Sequence, residues 1–200
     1  MKREHEETKD TYLESHGKQL LRLARSVIAA RLGIKSDLPQ SSEIMSELQD
    51  EMFDRNMGTF VTIHLNKKLR GCIGTLESTE SVREGIRHNA ISAAFEDPRF
   101  PPLTSKEFND SHLEISILSQ PVTLDYSDAD DLLSKLKPGV HGVIIKKERA
   151  RATFLPQVWE QLPDKSIFLS HLCSKAGLSD HEWKKGKLDV MLYTVQYFEE

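Results

Sequence analysis

Residues 59–76 read TFVTIHLNKKLRGCIGTL, and this stretch decides the predicted fold. Val61, Ile63 and Leu65 recur at every second position, which indicates a strand with one buried face. The polar NKK that follows predicts a turn, so that the two halves of the stretch pair as a β-hairpin. The LRGCIG segment holds two glycines, which normally weaken a strand. We therefore expect a bulge, a close backbone neighbour or a bound ligand at this segment.

Strand alternation predicts which side chains lie beside Cys72. It places Arg70, Cys72 and Gly74 on one face of the second strand and Gly71 on the other. A guanidinium beside a thiol favours the thiolate, which is the nucleophilic form of cysteine. Gly74 would leave a gap next to the sulfur for a small substrate. The alternative is a structural Cys72, because free cysteine often packs as a small apolar side chain.

Other chemical groups give weaker signals. A nucleophilic cysteine needs a base, and His64 is the best placed because it lies on the paired strand. The eight histidines show no H-x-x-x-H or H-x-H spacing, so no metal site is expected. GCIG lacks the spacing of either glycine-rich nucleotide motif, so no cofactor is expected. Cys72 and Cys173 are expected to be free thiols, and Cys173 is expected to lie on the inward side of a helix, in the protein core.

The composition predicts a globular cytoplasmic protein. A chain of 200 residues with 38% hydrophobic residues fits one domain or two intimate subdomains, and no segment is apolar enough for a membrane span. Residues 1–10 are charged throughout and read as a tail before a single domain at 11–200. They lack the apolar core of a secretory signal, so the expected location is the cytoplasm.

The charge balance argues against nucleic acid as a general partner. Lys and Arg total 27 against 31 for Asp and Glu, a net charge of −4. The local exception is KKERAR, Lys146–Arg151, which reads either as a solvated hairpin tip or as an RNA-binding segment.

The order of elements predicts an α+β fold. Capping boxes at Thr11/Glu14 and Ser81/Glu84 indicate the starts of two helices. SSEIMSELQDEMF from Ser41 is predicted as a further helix, GVIIKKERARATF as a second hairpin and LDVMLYTVQYF as one closing strand. Strands that come mostly as hairpins favour antiparallel or mixed sheet over strict β-α-β alternation.

Six segments of the chain occur in an order that is characteristic of one family. They are FVTIHLNKKLRGCIGTLE, AISAAFEDPRFPPLTSKEF, LEISILSQP, PGVHGVIIKK, FLPQVWEQLP and LCSKAGL. From about Leu20 to its C-terminus the chain resembles the AMMECR domain family. The resemblance implies two closely packed subdomains, built from β-hairpins with flanking helices, with the LRGCIG strand lining a cleft between them.

The resemblance also implies site residues and partners. By motif, the expected substrate- or partner-binding residues are Gly71, Gly74, Thr75, Asp97, Arg99, Phe154, Pro156 and Gln157. Bacterial and archaeal members are called AmmeMemoRadiSam system protein A, since they are encoded beside a Memo-like protein and a radical SAM protein. Those two proteins are the expected partners, besides a small molecule or protein that the motifs do not identify.

Three functions follow as hypotheses. The favoured one is a binding module, accessory to a radical-SAM-linked modification system, with Arg70 and Arg99 as anchors and Cys72 filling volume. The alternative is a thiol-dependent enzyme, in which Cys72 is the nucleophile, Arg70 its electrostatic partner, and Asp97 or Arg99 positions the substrate. The third is RNA binding through Lys146–Arg151.

Overall fold

A computed structural model describes residues 11–34, 39–76 and 79–200 of the chain. The predicted charged tail, residues 1–10, lies outside the described residues. The chain divides into two compact units, one of residues 1–118 with 196–200 and one of residues 119–195.

The first unit combines helices with antiparallel strands, as the α+β prediction requires. In the described residues up to 118 the elements are α1 (Glu14–Arg31), α2 (Ser41–Glu47), a 3-10 helix (Glu51–Asp54), β1 (Thr59–Leu65), β2 (Lys68–Thr75), α3 (Val82–Phe95), α4 (Ser105–Asn109) and β3 (Ser111–Leu118). Strand β1 pairs antiparallel with both β2 and β3. The single helix predicted from Ser41 is wrong in its length, because α2 ends at Glu47 and a separate 3-10 turn follows.

The predicted hairpin is confirmed, and it contains a bulge, one of the features that the glycines of LRGCIG predicted. Asn66 and Lys67 form its two-residue turn with φ of 52° and 62°, the left-handed conformation that hairpin turns favour. Leu69 pairs with His64, and Gly71 pairs with Ile63. Arg70 between them has no opposite residue. It is therefore the extra residue of a β-bulge, which locally redirects the strand.

Helix α3 lies unusually close to the hairpin, and Gly71 permits this approach. A Cβ atom at Gly71 would lie 2.1 Å from the Ala93 carbonyl oxygen of α3. The Asn89 side chain, also on α3, donates hydrogen bonds of 3.0 Å to both the carbonyl and the hydroxyl of Thr59 on β1. Asn89 and Thr59 are buried, so these bonds fix α3 on the sheet in a place that water does not reach.

Helix α1 buries the stripe that its sequence predicts, but it begins later than expected. Leu20, Leu23 and Ile28 are fully buried in the core of the first unit. The Thr11/Glu14 capping box is wrong, because Leu13 holds the N-cap position and its N–H donates to His16 Nδ1 at 3.2 Å. Tyr12 is buried, with its hydroxyl on the Met52 carbonyl. That anchor keeps residue 12 outside the helix.

The second unit repeats the combination of hairpin and helix. Its elements and the last strand of the chain are β4 (Val122–Thr123), α5 (Ala129–Lys135), β5 (Gly142–Lys147), β6 (Ala150–Phe154), α6 (Val158–Gln161), α7 (Lys165–Lys175), a second 3-10 helix (Glu182–Lys185), β7 (Asp189–Tyr193) and β8 (Val195–Glu199). Its core centres on Trp159, which stacks on Phe168 with ring centroids 3.6 Å apart. Cys173 is fully buried in the same core, as expected. Within the described residues, no helix combines the length and the apolar character needed to cross a lipid bilayer.

The prediction of one closing strand from LDVMLYTVQYF is wrong. The segment forms two strands in different four-stranded sheets, of order β2-β1-β3-β8 and β4-β7-β5-β6. Thr194, between the two strands, donates its N–H to Ser119 Oγ and accepts from the Ser119 N–H, both at 2.9 Å. These tertiary hydrogen bonds interrupt a segment whose local pattern is continuous.

The contact at Gly71 yields a stability prediction. We expect Gly71→Ala to lower the free energy of unfolding by about 3 kcal/mol, because the added methyl group meets the backbone carbonyl of Ala93, which cannot rotate away. Urea denaturation measures the change. The matched control is Leu69→Ala on the same strand, whose side chain is 41% exposed and whose loss should cost below about 1 kcal/mol. Equal losses for the two variants would contradict the role assigned to Gly71.

Candidate functional site

Cys72 is the half-buried centre of a group of polar contacts on the edge strand β2. The Thr62 hydroxyl donates to Cys72 Sγ at 3.3 Å from the neighbouring strand β1. The backbone of Cys72 is held as well. Its N–H donates to Asp97 Oδ2 at 2.9 Å, and its carbonyl accepts from Arg99 Nη2 at 3.2 Å. LRGCIG and DPRF, which are far apart in sequence, therefore meet at this cysteine.

Arg70 is directed elsewhere. Its guanidinium forms an ion pair with Glu107 of α4, with Nε 2.9 Å from Oε1, and also donates to the Pro101 carbonyl at 2.9 Å. Arg70 is 8% exposed, so its charge joins β2 to the proline-rich loop. The guanidinium that lies beside Cys72 belongs to Arg99, because the bulge at Arg70 breaks the alternation from which the pairing of Arg70 with Cys72 was predicted.

Asp97 and Arg99 cap the free edge of β2. Arg99 donates two hydrogen bonds to the Asp97 carboxylate, from Nε to Oδ1 at 2.9 Å and from Nη2 to Oδ2 at 2.7 Å. The Asp97 side chain is 2% exposed and that of Arg99 54%. The hydrogen bond from Arg99 holds the pKa of Asp97 far below its ordinary value, against the effect of burial, and the same pair raises the pKa of Arg99. Their contacts to the Cys72 backbone occupy hydrogen-bonding groups that an edge strand otherwise leaves open.

The gap expected beside Gly74 is filled by a side chain. A Cβ atom at Gly74 would lie 2.3 Å from the ring of Phe60, its cross-strand partner, and 2.4 Å from the Thr59 carbonyl oxygen. Both glycines of LRGCIG thus accommodate atoms of the protein itself, one on each face of the strand. Thr75 ends β2 as an exposed residue opposite Thr59.

The register places an acid in line with Cys72, which sequence reasoning missed. Thr62 is opposite Cys72 on one side and opposite Glu114 of β3 on the other. Burial raises the pKa of the half-buried Glu114 carboxyl, although the charge of His64 lowers it in part. The outer face of this sheet, defined by Cys72, Thr62, His64 and Glu114, therefore carries ionisable groups. The sequence signal was the alternation of Glu114 with the buried Leu113 and Ile115 in HLEISIL. That pattern places Glu114 on the outer face, but only the strand register shows that it is in line with Cys72.

The remaining predicted binding residues belong to the second unit. The Lys175 ammonium lies 5.0 Å from the centroid of the Phe154 ring, and the Phe154 carbonyl accepts from the Tyr193 hydroxyl at 3.1 Å. Pro156 is buried and Gln157 exposed in the turn that leads into α6. The predicted cleft between two subdomains stays a prediction.

The basic segment Lys146–Arg151 forms the tip of the second hairpin. Glu148 occupies the turn with φ of 52°, and Lys147 forms an ion pair with the buried Glu182. Hydrogen bonds from Lys147 and Lys185 hold the pKa of Glu182 down, to about 2. One cation of this segment thus already has an acidic partner, and RNA binding stays a prediction. Among residues 11–34, 39–76 and 79–200, no three His, Cys, Asp or Glu side chains are grouped to hold a metal ion.

Comparison with known proteins supports what the motifs indicated. The AMMECR1 family matches residues 21–198. The chain belongs to the AMMECR1 family. The AMMECR1 match includes LRGCIG and DPRF, which meet at Cys72, and LPQV, which leads into α6.

Archaeal relatives cover nearly the whole chain. A protein of Methanosarcina mazei is 39% identical over 189 residues, covering 94% of this chain and 92% of its own length. Protein NEQ441 of Nanoarchaeum equitans is 36% identical and covers 90% of this chain and 98% of its own. The crystal structure of the uncharacterized protein PH0010 from Pyrococcus horikoshii superposes with a TM-score of 0.73 at 30% identity, covering 92% and 91% of the two chains. The superposition supports the α+β fold, and none of the printed names assigns a reaction.

The Arg70–Glu107 pair predicts a loss of stability in acid. The hydrogen bond from Arg70 lowers the pKa of Glu107 from 4.5 to about 2, so the folded state binds fewer protons than the unfolded state between those values. The contribution is complete above about pH 5 and is lost as the pH falls towards 2. We expect Glu107→Gln to lower the free energy of unfolding by about 1–2 kcal/mol at pH 7, with the difference from wild type shrinking towards pH 2 in urea titrations.

The control for this measurement is an exposed ion pair. Arg22 and Glu47 are 3.0 Å apart, with side chains 39% and 50% exposed. Glu47→Gln should change the stability by less than about 0.5 kcal/mol at pH 7. A Glu107→Gln effect that is the same at pH 7 and pH 3 would be inconsistent with the ion pair as its cause.

Proposed function

We propose that this AMMECR1-family protein is a cytoplasmic binding module, and that its ligand or partner contacts the outer face around Cys72. The observation that carries the proposal is the row of a thiol, a hydroxyl and a carboxyl at Cys72, Thr62 and Glu114, which are opposite one another on three neighbouring strands. A row of this kind offers a partner both donors and acceptors at fixed spacing.

The raised pKa of Glu114 supports the proposal. A carboxyl group that is kept partly dehydrated on a sheet face costs stability, and such groups occur most often where function requires them. The other face of the same strands carries the fully buried Val61, Ile63 and Ile115. Core packing therefore accounts for one face of the sheet, and binding is the reason we assign to the polar residues of the other.

The partner that we propose follows from the family. The resemblance to AmmeMemoRadiSam system protein A favours a Memo-like protein or a radical SAM protein, with the present protein as the accessory that positions it. Arg99, whose guanidinium is half exposed next to Cys72, is a cation that an acidic partner would meet beside this face.

Binding to the purified Memo-like protein of the same genome tests the proposal by isothermal titration calorimetry. We expect His64→Ala and Glu114→Gln each to weaken the Kd about tenfold, equivalent to roughly 1.4 kcal/mol, because each removes one polar contact. Cys72→Ser should stay within about twofold of wild type, since a hydroxyl replaces the thiol in the same volume.

The control variant is His88→Ala on α3, whose side chain is half exposed and lies on a helix rather than on this sheet face. Its Kd should equal that of wild type. Equal weakening by His88→Ala, or unchanged binding by the two outer-face variants, would reject this face as the binding surface.

A thiol-dependent enzyme is the second candidate, favoured by one observation. The Thr62 hydroxyl donates to Cys72 Sγ at 3.3 Å, and the guanidinium of Arg99 lies beside the same residue, with Nη2 3.2 Å from the Cys72 carbonyl oxygen. A donated hydrogen bond and a nearby guanidinium both stabilise a thiolate.

Alkylation by iodoacetamide tests this candidate. We expect Cys72 to react at pH 7 about tenfold faster than free cysteine, and Thr62→Val to slow it several-fold because the donated hydrogen bond is lost. Mass spectrometry assigns the adduct, and the fully buried Cys173 serves as the unreactive internal control. A Cys72 that resists alkylation in the folded protein, or that reacts like free cysteine, would exclude thiol catalysis.

A further inference from the structure

The second unit contains a concavity on its surface. It lies between helix α7 and the segment of residues 180–184, and its volume is about 430 Å³. This volume falls within the range of small-molecule sites. Ser166 and Ser170, one turn apart on α7, and Trp183 are among the residues that line it.

The Ser170 hydroxyl is held by the tryptophan. Trp183 Nε1 donates to Ser170 Oγ at 3.1 Å, and Trp183 is 2% exposed. A serine hydroxyl has one proton and two acceptor positions, so the bond from the indole leaves the proton of Ser170 to be donated. The oxygen is thus fixed by a buried group while its proton is available to a ligand in the concavity.

The lining of the concavity carries one ammonium and one carboxylate, together with several neutral hydrogen-bonding groups. The Lys184 ammonium lies 5.3 Å from the centroid of the Trp183 ring. The lining also includes the exposed side chains of His171, His181 and Ile167, and Ser174. The acid among the lining residues is Asp180, with its carboxylate 3.6 Å from His181 Nδ1. The neighbouring Glu182 faces Lys147 and Lys185 instead.

We propose that this concavity binds the phosphate group of a small phosphate ester. Hydroxyl protons, imidazole N–H groups and an ammonium are donors that suit the several acceptor oxygens of a phosphate. The volume exceeds that of phosphate alone, which leaves room for the organic part of the ester. The site lies wholly within the second unit and is independent of the function proposed for the outer face around Cys72.

The two tryptophans of the chain provide a readout with an internal reference. Addition of inorganic phosphate or ribose 5-phosphate at constant ionic strength should shift the indole N–H resonance of Trp183 saturably in ¹H–¹⁵N spectra. The indole of Trp159 donates to the His141 carbonyl at 2.8 Å in the core and should not shift. The ester should bind more tightly than inorganic phosphate, and acetate at the same concentration should cause no saturable shift.

Variants test the assigned residues. Lys184→Met should weaken phosphate binding about tenfold, since it removes a charge-assisted hydrogen bond, and Ser166→Ala should weaken it several-fold. The control Lys187→Met removes the same charge from an exposed residue outside the lining and should stay within twofold of wild type. An unchanged Trp159 resonance verifies that each variant is folded.

Three results would overturn the assignment. They are the absence of a saturable Trp183 shift at millimolar phosphate, an equal response to acetate, and equal weakening by Lys184→Met and Lys187→Met, which would show general charge attraction in place of a site.

Discussion

The close approach of helix α3 to the first hairpin is the constraint on which the first unit depends. With the Ala93 carbonyl directly above Gly71, no side chain fits at that strand position. The paired hydrogen bonds from Asn89 to Thr59 hold the same helix on the other strand. Because the helix lies this low, Val61 and Ile63 are sealed from water, and Thr59 on the same face of β1 has its hydroxyl hydrogen-bonded to Asn89.

The charged residues of LRGCIG and DPRF hold the strand β2 and the proline-rich loop together. Arg70, which the bulge releases from the ladder, binds Glu107 and the Pro101 carbonyl and so anchors the proline-rich loop. Asp97 and Arg99 in that loop bind the Cys72 backbone from the open side of the strand. The two motifs stabilise each other, and Cys72 is held in place by both. These contacts fix the backbone position of Cys72 on the edge strand.

Local signals predicted the elements that depend on local physics. The Ser81 hydroxyl accepts from the Glu84 N–H at 3.4 Å, so Ser81 is the N-cap of α3 at the helix start that the sequence predicted. The similar signal at Thr11 failed, because the burial of Tyr12 takes precedence over the cap. The failure at Arg70 has the same origin. Alternation assumes a regular strand ladder. The β-bulge at Arg70 adds one unpaired residue to β2, so alternation across it predicts the wrong neighbour.

The sequence by itself determined the α+β class, the two hairpins, the buried stripe of α1 and membership of the AMMECR1 family, since period and motif order act over short stretches. Only the tertiary structure decided that Arg99 rather than Arg70 lies beside Cys72, that Glu114 is in line with it, and that the last predicted strand divides between two sheets. Each of these depends on contacts between segments that are distant in sequence. Strand register and helix packing determine those contacts, and both are properties of the folded chain rather than of any local stretch.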